Sequence, residues 1–125
     1  LLAGVGTVVC SLWPVPESLT LLVADLFYRR VAEAGDTVDV VRTLRLCAAE
    51  LRGMTHTQAR ARLLALRALT PAPAQRFMLE AAASRLQGGP EQPYAHPVHW
   101  AAFFAVGAPQ IRFTARRRSA RRAPR

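Results

Sequence analysis

Two apolar runs near the ends of the sequence constrain its fold more than any other feature. Residues 5–13 (Val-Gly-Thr-Val-Val-Cys-Ser-Leu-Trp) are rich in β-branched side chains, and apolar residues occupy both odd and even positions. Residues 100–106 repeat that pattern. Strands with one wet face alternate polar and apolar residues, whereas strands covered on both faces, typical of parallel sheets, do not. Both runs therefore predict strands of a sheet that is covered on its two faces.

The residues after the first run predict two helices. A stripe of apolar residues at helical spacing predicts a helix that begins with Ser18 as its N-cap. Gly35 is expected to end that helix in a left-handed conformation. A second amphipathic stripe predicts another helix, which begins at Asp36 or Thr37 and ends at Gly53. These two helices are expected to cover the sheet.

Residues 54–92 predict two further helices between the second helix and the second strand. Thr55 and Gln58 stand at the spacing of a capping box, which marks the start of the third helix. Proline in the Thr-Pro-Ala-Pro sequence at 70–73 breaks it, because proline lacks a backbone donor. A fourth helix is predicted over about residues 74–86.

Two strands of this kind cannot complete a sheet by themselves. A lone pair would leave two open apolar edges, and such a sheet is not independently stable. The sequence also begins at Leu1 rather than at a methionine. Both observations predict that the chain is the C-terminal part of a larger α/β domain. Its first partner would then be the N-terminal part of that same domain.

The positive charge is concentrated at the end of the chain. The net charge is +9, and seven of the 17 arginines lie within 112–125 without any acidic residue. Residues 108–125 are therefore predicted to be a disordered, arginine-rich tail. An alternative function is therefore that of a nucleic-acid-associated protein, in which the tail holds polyanions through a salt-dependent attraction that ignores base sequence. The candidates are Arg116, Arg117, Arg118, Arg121 and Arg122.

The same composition bears on partners and location. Nucleic acid is a disfavoured partner, because the tail has no recognition helix or aromatic stacking platform beside it. The uncharged stretch at 1–16 is interrupted by glycine and proline and is shorter than the ~20 residues that span a bilayer. No basic segment precedes it, as a signal peptide would require. Two cysteines do not form a disulfide framework, so the prediction is a cytoplasmic protein without membrane contact.

Two motifs resemble the CHAT family, whose caspase-like domains are found beside tetratricopeptide repeats in bacterial proteins. Residues 3–15 (Ala-Gly-Val-Gly-Thr-Val-Val-Cys-Ser-Leu-Trp-Pro-Val) resemble a late strand of that family, which ends in Ser-Leu-Trp-Pro-Val. Residues 94–107 (Tyr-Ala-His-Pro-Val-His-Trp-Ala-Ala-Phe-Phe-Ala-Val-Gly) resemble its closing strand. The resemblance implies that 1–107 form the C-terminal segment of a caspase–hemoglobinase fold. That fold is α/β, with a mostly parallel sheet and covering helices, and 54–92 would be a helical insert within it.

The resemblance also implies where peptidase chemistry would lie. Active members cut peptides with a histidine–cysteine dyad, and both residues would precede residue 1 of this chain. None of His56, His96 and His99 is followed by glycine, as the catalytic histidine of the family is. We therefore predict no catalytic residue and no cofactor here. The parent protein would be a cysteine peptidase acting on peptide or protein substrates, or a pseudo-peptidase that serves as an interaction module.

Six further residues have a structural and a functional interpretation. The segment after the first strand helps to form the pocket for the substrate's P1 side chain in caspase-like folds, which makes Ser11 and Trp13 pocket candidates. Alternatively, Trp13 only covers the end of the sheet. Cys10 and Cys47 lie on apolar faces and are predicted to be inert core residues. The two histidines at 96 and 99 lack the further ligands that a metal site needs, so no metal is predicted.

Overall fold

A computed structural model describes residues 5–112 of the chain, which form a mixture of helices and short strands. The elements follow in the order β1 (Thr7–Ser11), α1 (Glu17–Glu33), β2 (Thr37–Asp39), α2 (Val40–Gly53), α3 (His56–Leu69), α4 (Pro73–Arg85), α5 (Pro97–Trp100), β3 (Phe103–Gly107) and β4 (Gln110–Arg112). This composition is compatible with the predicted α/β class.

The strands form two small antiparallel sheets. β1 pairs with β3, with Thr7 opposite Gly107 and Ser11 opposite Phe103. β2 pairs with β4, with Val38 opposite Ile111. Within residues 5–112 there is no parallel pair, so the predicted mostly parallel sheet is not confirmed.

The two predicted strands are present, but they are not covered on both faces by the described residues. Val8 is 37% exposed and its cross-strand partner Val106 is 49% exposed. Leu12, which follows β1, is 63% exposed. Val9, on the opposite face of β1, is 39% exposed, so the apolar pattern of the sequence and the observed exposure disagree over both faces of this strand.

The starts of the first two helices differ from the predictions. α1 begins at Glu17, because the carbonyl of Pro16 accepts the N–H of Leu19, so Ser18 lies in the first turn and is not the N-cap. α2 begins at Val40, since the side chain of Asp39 accepts the N–H of Arg42 at 2.9 Å. Residues 37–39, expected to be helical, form β2 instead.

Two other local predictions are confirmed. Gly35 follows α1 with φ of +76°, a conformation that costs glycine little. The capping box of α3 is complete, because Gln58 N donates to Thr55 Oγ1 at 3.2 Å and Thr55 N donates to Gln58 Oε1 at 2.9 Å. Proline at the first position of α4 is compatible with the helix, since its missing N–H would have no partner there.

The boundary predicted at residue 108 for a disordered tail is wrong for its first residues. Gln110–Arg112 form β4, and the preceding Pro109 carbonyl accepts the N–H of Val40 at 2.9 Å. Ile111 lies opposite the buried Val38, so strand pairing and this apolar contact both attach the segment to the body. Residues 113–125, with the rest of the predicted tail, lie outside the described part of the chain.

The core lies among α1, α2, α3 and α4 rather than under the sheet. Leucines from all four helices are almost completely buried there: Leu19, Leu22, Leu26, Leu51, Leu63 and Leu79. An ion-pair network lies beside this core, in which Arg62 contacts Asp25 at 3.4 Å and Glu50 at 2.9 Å. Since Asp25, Glu50 and Arg62 come from α1, α2 and α3, the network fixes the relative positions of these helices.

Candidate functional site

The sequence-predicted site lies at the carboxyl end of β1, the edge where open α/β sheets place their binding sites. Ser11 is the last residue of β1 and is exposed. Leu12 continues the ladder by one residue, because its N–H donates to Ala102 O at 2.7 Å. Pro14 then prevents further pairing, since it has no N–H to donate. The chain therefore turns away from the sheet directly after the two candidate residues.

Trp13 is attached to the segment that precedes β3. Its indole Nε1–H donates to the carbonyl of Val98 at 2.9 Å. The two bonded residues are 85 positions apart in the sequence, and the bond connects the end of β1 to α5. Trp13 is half-buried in this position. This contact agrees with the structural interpretation, in which Trp13 covers the end of the sheet.

Residues 94–100, which we name the strap, are held by several contacts of their own. The N–H of Val98 donates to His96 Nδ1 at 3.1 Å, which caps α5. Trp100 Nε1–H donates to Ala95 O at 3.0 Å, and the guanidinium of Arg52 lies 5.7 Å from the centre of the Trp100 ring. The strap therefore fixes the carbonyl to which Trp13 binds.

The two strap histidines have structural partners rather than metal ligands around them. His99 packs edge-to-face against Tyr94, with 5.5 Å between the ring centroids. Burial lowers the pKa of His99, and the neighbouring His96 lowers it further. Among the described residues, no group of three histidine, cysteine or acidic side chains lies close enough to hold a metal ion.

Ser11 borders a large apolar trough, which we name the β1 trough. Its volume is about 750 Å³, and it separates β1 from α1 and from the β2–β4 pair. Its lining from β1 and α1 includes Val9, Cys10, Ser11, Val23, Phe27 and Tyr28. Trp13 does not line it. The two pocket candidates therefore lie at different places, with Ser11 on the trough and Trp13 on the strap.

The free edge of β1 faces away from β3. The N–H of Leu12 and the carbonyl of Gly6 both bind residues of the β3 side. Because hydrogen bonding alternates along an antiparallel ladder, Thr7, Val9 and Ser11 direct their backbone groups to the opposite edge. No described residue pairs with that edge. The sequence does not indicate which residues of β1 have free backbone groups, because this depends on the register of β1 with β3.

The two cysteines differ in their access to reagents. Cys47 is buried against the helical core, and this burial raises the pKa of its thiol despite the opposing effect of Arg30. Cys10 is partly exposed and lines the β1 trough. Cys10 was predicted to be a buried core residue, whereas the described residues cover it only in part.

We expect iodoacetamide to alkylate Cys10 at least about tenfold faster than Cys47, because only a reachable thiolate reacts. Mass spectrometry of the two cysteine-containing peptides over a time course measures both rates. Cys10→Ala and Cys47→Ala variants assign each rate to its residue. Equal rates in the folded protein would contradict the described burial.

The remaining sequence-predicted candidates are the arginines proposed to bind polyanions. Arg116, Arg117, Arg118, Arg121 and Arg122 lie outside residues 5–112.

Among the helices that are described, none is long and apolar enough to cross a membrane.

β1, which ends at Ser11 just before Leu-Trp-Pro, the strand β3 beside it and the helices around them are compatible with an α/β domain. The family model described as CHAT domain matches residues 1–108, and the chain belongs to this family, which is related to caspase-like peptidases. The match includes residues 54–92, where α3 and α4 lie. Comparison with curated proteins and with solved structures gave no match.

Proposed function

We propose that this chain forms the C-terminal part of a CHAT-type, caspase-like cysteine peptidase or pseudo-peptidase. In this proposal β1 and β3 complete the sheet of the domain, α1 and α2 cover one of its faces, and the end of β1 forms one wall of the substrate pocket. The histidine–cysteine dyad would come from the part of the domain that precedes these elements. The exposed apolar sheet is the observation that carries the proposal.

The exposed face of the β1–β3 pair has the composition of a domain interior. Side chains directly opposite each other share a face, so Val8 and Val106 lie together, as do Cys10 and Phe104. Leu12 extends the same row. All five are uncharged, and contiguous apolar surface of this kind marks an interaction site. A covering layer of helices is what α/β sheets place on such a face.

The free edge of β1 supports the same proposal. An unpaired edge without lysine or proline is a template for another strand. Its backbone groups at Thr7, Val9 and Ser11 would pair with a neighbouring strand of the domain. Residues of that strand would then fill part of the β1 trough, which Val9 and Ser11 border. In the family, the strand before this one carries the catalytic cysteine at its end.

Ser11 and Trp13 are the pocket residues of this proposal. In the complete, active domain, we expect Trp13→Ala to shift the ratio of kcat/KM between two substrates that differ only at P1 by about tenfold or more, because a pocket wall is removed. Cleavage of paired fluorogenic peptides measures this ratio. The ratio is independent of the fraction of folded enzyme, since both substrates compete for the same active molecules.

Trp100→Ala is the matched control for that experiment. Trp100 also donates its indole N–H to a strap carbonyl, but it lies against Arg52 on α2 and not at the end of β1. We expect this variant to lower activity without changing the P1 ratio. An unchanged ratio in a folded Trp13→Ala enzyme would leave Trp13 with its covering role alone. A complete domain that cleaves no peptide would favour the interaction module over the peptidase.

A further inference from the structure

The outer edge of β3, which we name the β3 edge, is a second strand edge that the sheet proposal does not use. The N–H of Leu12 donates to Ala102 O, so residues 12 and 102 form a hydrogen-bonded pair of the β1–β3 ladder. Because hydrogen bonding alternates along an antiparallel ladder, Phe103 and Ala105 direct their backbone groups away from β1. Within residues 5–112, no strand pairs with them. The β3 edge thus offers backbone donors and acceptors to an added strand.

A groove between β3 and α2 lies beside this edge. We name it the α2 groove; its volume is about 360 Å³, and its lining includes Leu44 and Ala48 of α2 and Phe103 and Ala105 of β3. The side chains at 103 and 105 share one face of β3, since successive side chains of a strand point to opposite faces. A strand that pairs with the β3 edge would therefore direct every second side chain toward the α2 groove.

Two arginines of α2 give the α2 groove a positive charge. Arg45 is exposed and lines the groove. Arg52 follows two helical turns later on the same face of α2, and its guanidinium lies 5.7 Å from the ring centre of Trp100, which also lines the groove. Neither arginine forms an ion pair within the described part of the chain, and no described acidic side chain lines the groove. The acidic side chain of α2, Glu50, is already paired with arginines of α1 and α3.

We propose that the β3 edge and the α2 groove bind an extended, acidic segment of a protein partner, which adds to the sheet as an antiparallel strand. Backbone bonds to residues 103 and 105 would supply affinity, as in other complexes that form by strand addition. On the groove side, apolar side chains of the segment would cover Leu44 and Phe103, and its carboxylates would pair with Arg45 and Arg52. Antiparallel pairing is assigned because it is slightly more stable per residue than parallel pairing.

The charge of the α2 groove selects such a partner over a second copy of this chain. Two identical strands pair antiparallel about a two-fold axis perpendicular to the sheet, which places both α2 helices on the same face of the joined sheet. If Ala105 met its own copy there, the two Arg45 side chains would approach each other across the axis, and like charges at an interface oppose binding. The proposal does not depend on the sheet proposal, which places the neighbouring strand of the domain at the opposite edge, on β1.

Fluorescence anisotropy of labelled peptides with the full chain tests this site. The probe has about nine residues, a length within the range of natural strands. Its odd positions alternate glutamate and valine, and its even positions are threonine, so that one face is both acidic and apolar. A matched peptide has lysine in place of each glutamate. At about 150 mM NaCl, where long-range attraction is screened, we expect the glutamate peptide to bind at least about tenfold more tightly.

Backbone methylation of the glutamate peptide tests the strand pairing. Directly opposite residues of an antiparallel pair share a face, so the peptide residues that face the α2 groove are also those that bond to the β3 edge. N-methylation at two odd positions is expected to weaken binding by about tenfold or more, because each removes a donor. N-methylation at two threonine positions is the matched control and is expected to leave the affinity within about threefold.

Two substitutions in the chain then locate the binding. Arg45→Glu is expected to weaken the glutamate peptide by about tenfold and to strengthen binding of the lysine peptide. Arg42→Glu is the matched control, because Arg42 is exposed on the same helix but does not line the groove, and it is expected to leave the affinity within about twofold. Ala105→Pro removes an N–H that points away from β1, so it is expected to weaken the peptide by about fivefold while the β1–β3 pair remains.

Each other outcome overturns the proposal. Binding that survives Arg45→Glu would place the peptide on another surface, the arginine-rich C-terminal residues included. Equal weakening by the two methylation patterns would exclude antiparallel strand pairing. A dimer of the chain alone in sedimentation velocity, dissociated by Ala105→Pro, would make a second copy the occupant of the β3 edge. Circular dichroism checks the fold of each variant, and if Ala105→Pro unfolds the chain, Arg45→Glu and the methylated peptides decide the result.

Discussion

Replacing Leu22 by alanine is expected to lower the free energy of unfolding by about 3 kcal/mol, because it opens a cavity in the centre of the helical core. Leu22 has 0% of its surface exposed and lies in the second turn of α1, the helix that contacts α2, α3 and α4. The cost contains both the lost transfer of the side chain from water and the incomplete collapse of its neighbours. Urea denaturation followed by helical circular dichroism measures it.

Leu69→Ala is the control for the Leu22 prediction. The same chemical change at an exposed position removes little buried surface, so its effect is expected to stay within about 0.5 kcal/mol. Since folded domains have a total stability of roughly 5–15 kcal/mol, the Leu22 variant would lose a large fraction of it. Equal effects of the two substitutions would show that the core does not lie among the helices.

The sequence predicted the elements whose signals are local and long. Apolar stripes located α1, α2, α3 and α4 to within a few residues, and the capping box at Thr55 fixed the start of α3. The errors fell at helix starts, where competing caps lie close together. At the start of α1, a backbone carbonyl of Pro16 provides the first acceptor, and no side-chain pattern reports a backbone group.

The short strands and the site geometry could not be predicted in the same way. β2 and β4 have three residues each, too few to show alternation, and their pairing joins segments more than 70 residues apart. The end of β1 was correctly placed as a strand end. The bond from Trp13 to Val98, and the separation of Ser11 from Trp13, depend on the register with β3, which side-chain patterns leave open.

The exposed sheet face gives the second prediction, in which one substitution has a small effect on stability in one context and a large effect in another. In the 125-residue chain alone, Val8→Asp is expected to change the free energy of unfolding by about 1 kcal/mol or less, because the new carboxylate stays in water. In a protein that carries the complete domain, the proposed helical layer covers this position. The same carboxylate would then be buried without a partner, at a cost of about 3–5 kcal/mol.

The melting temperature of both proteins, with and without the substitution, measures this difference. Leu69→Asp is the matched control, because Leu69, 80% exposed at the end of α3, lies outside the sheet and is expected to tolerate the charge in both contexts. The reasoning depends on the position of Val8 opposite Val106 on a face that no described element covers. If Val8→Asp is tolerated equally in the complete domain, that face is a true exterior surface and the sheet is not continued there. If it unfolds the 125-residue chain as well, the face is already an interior, and the proposed completion of the domain has no surface on which to form.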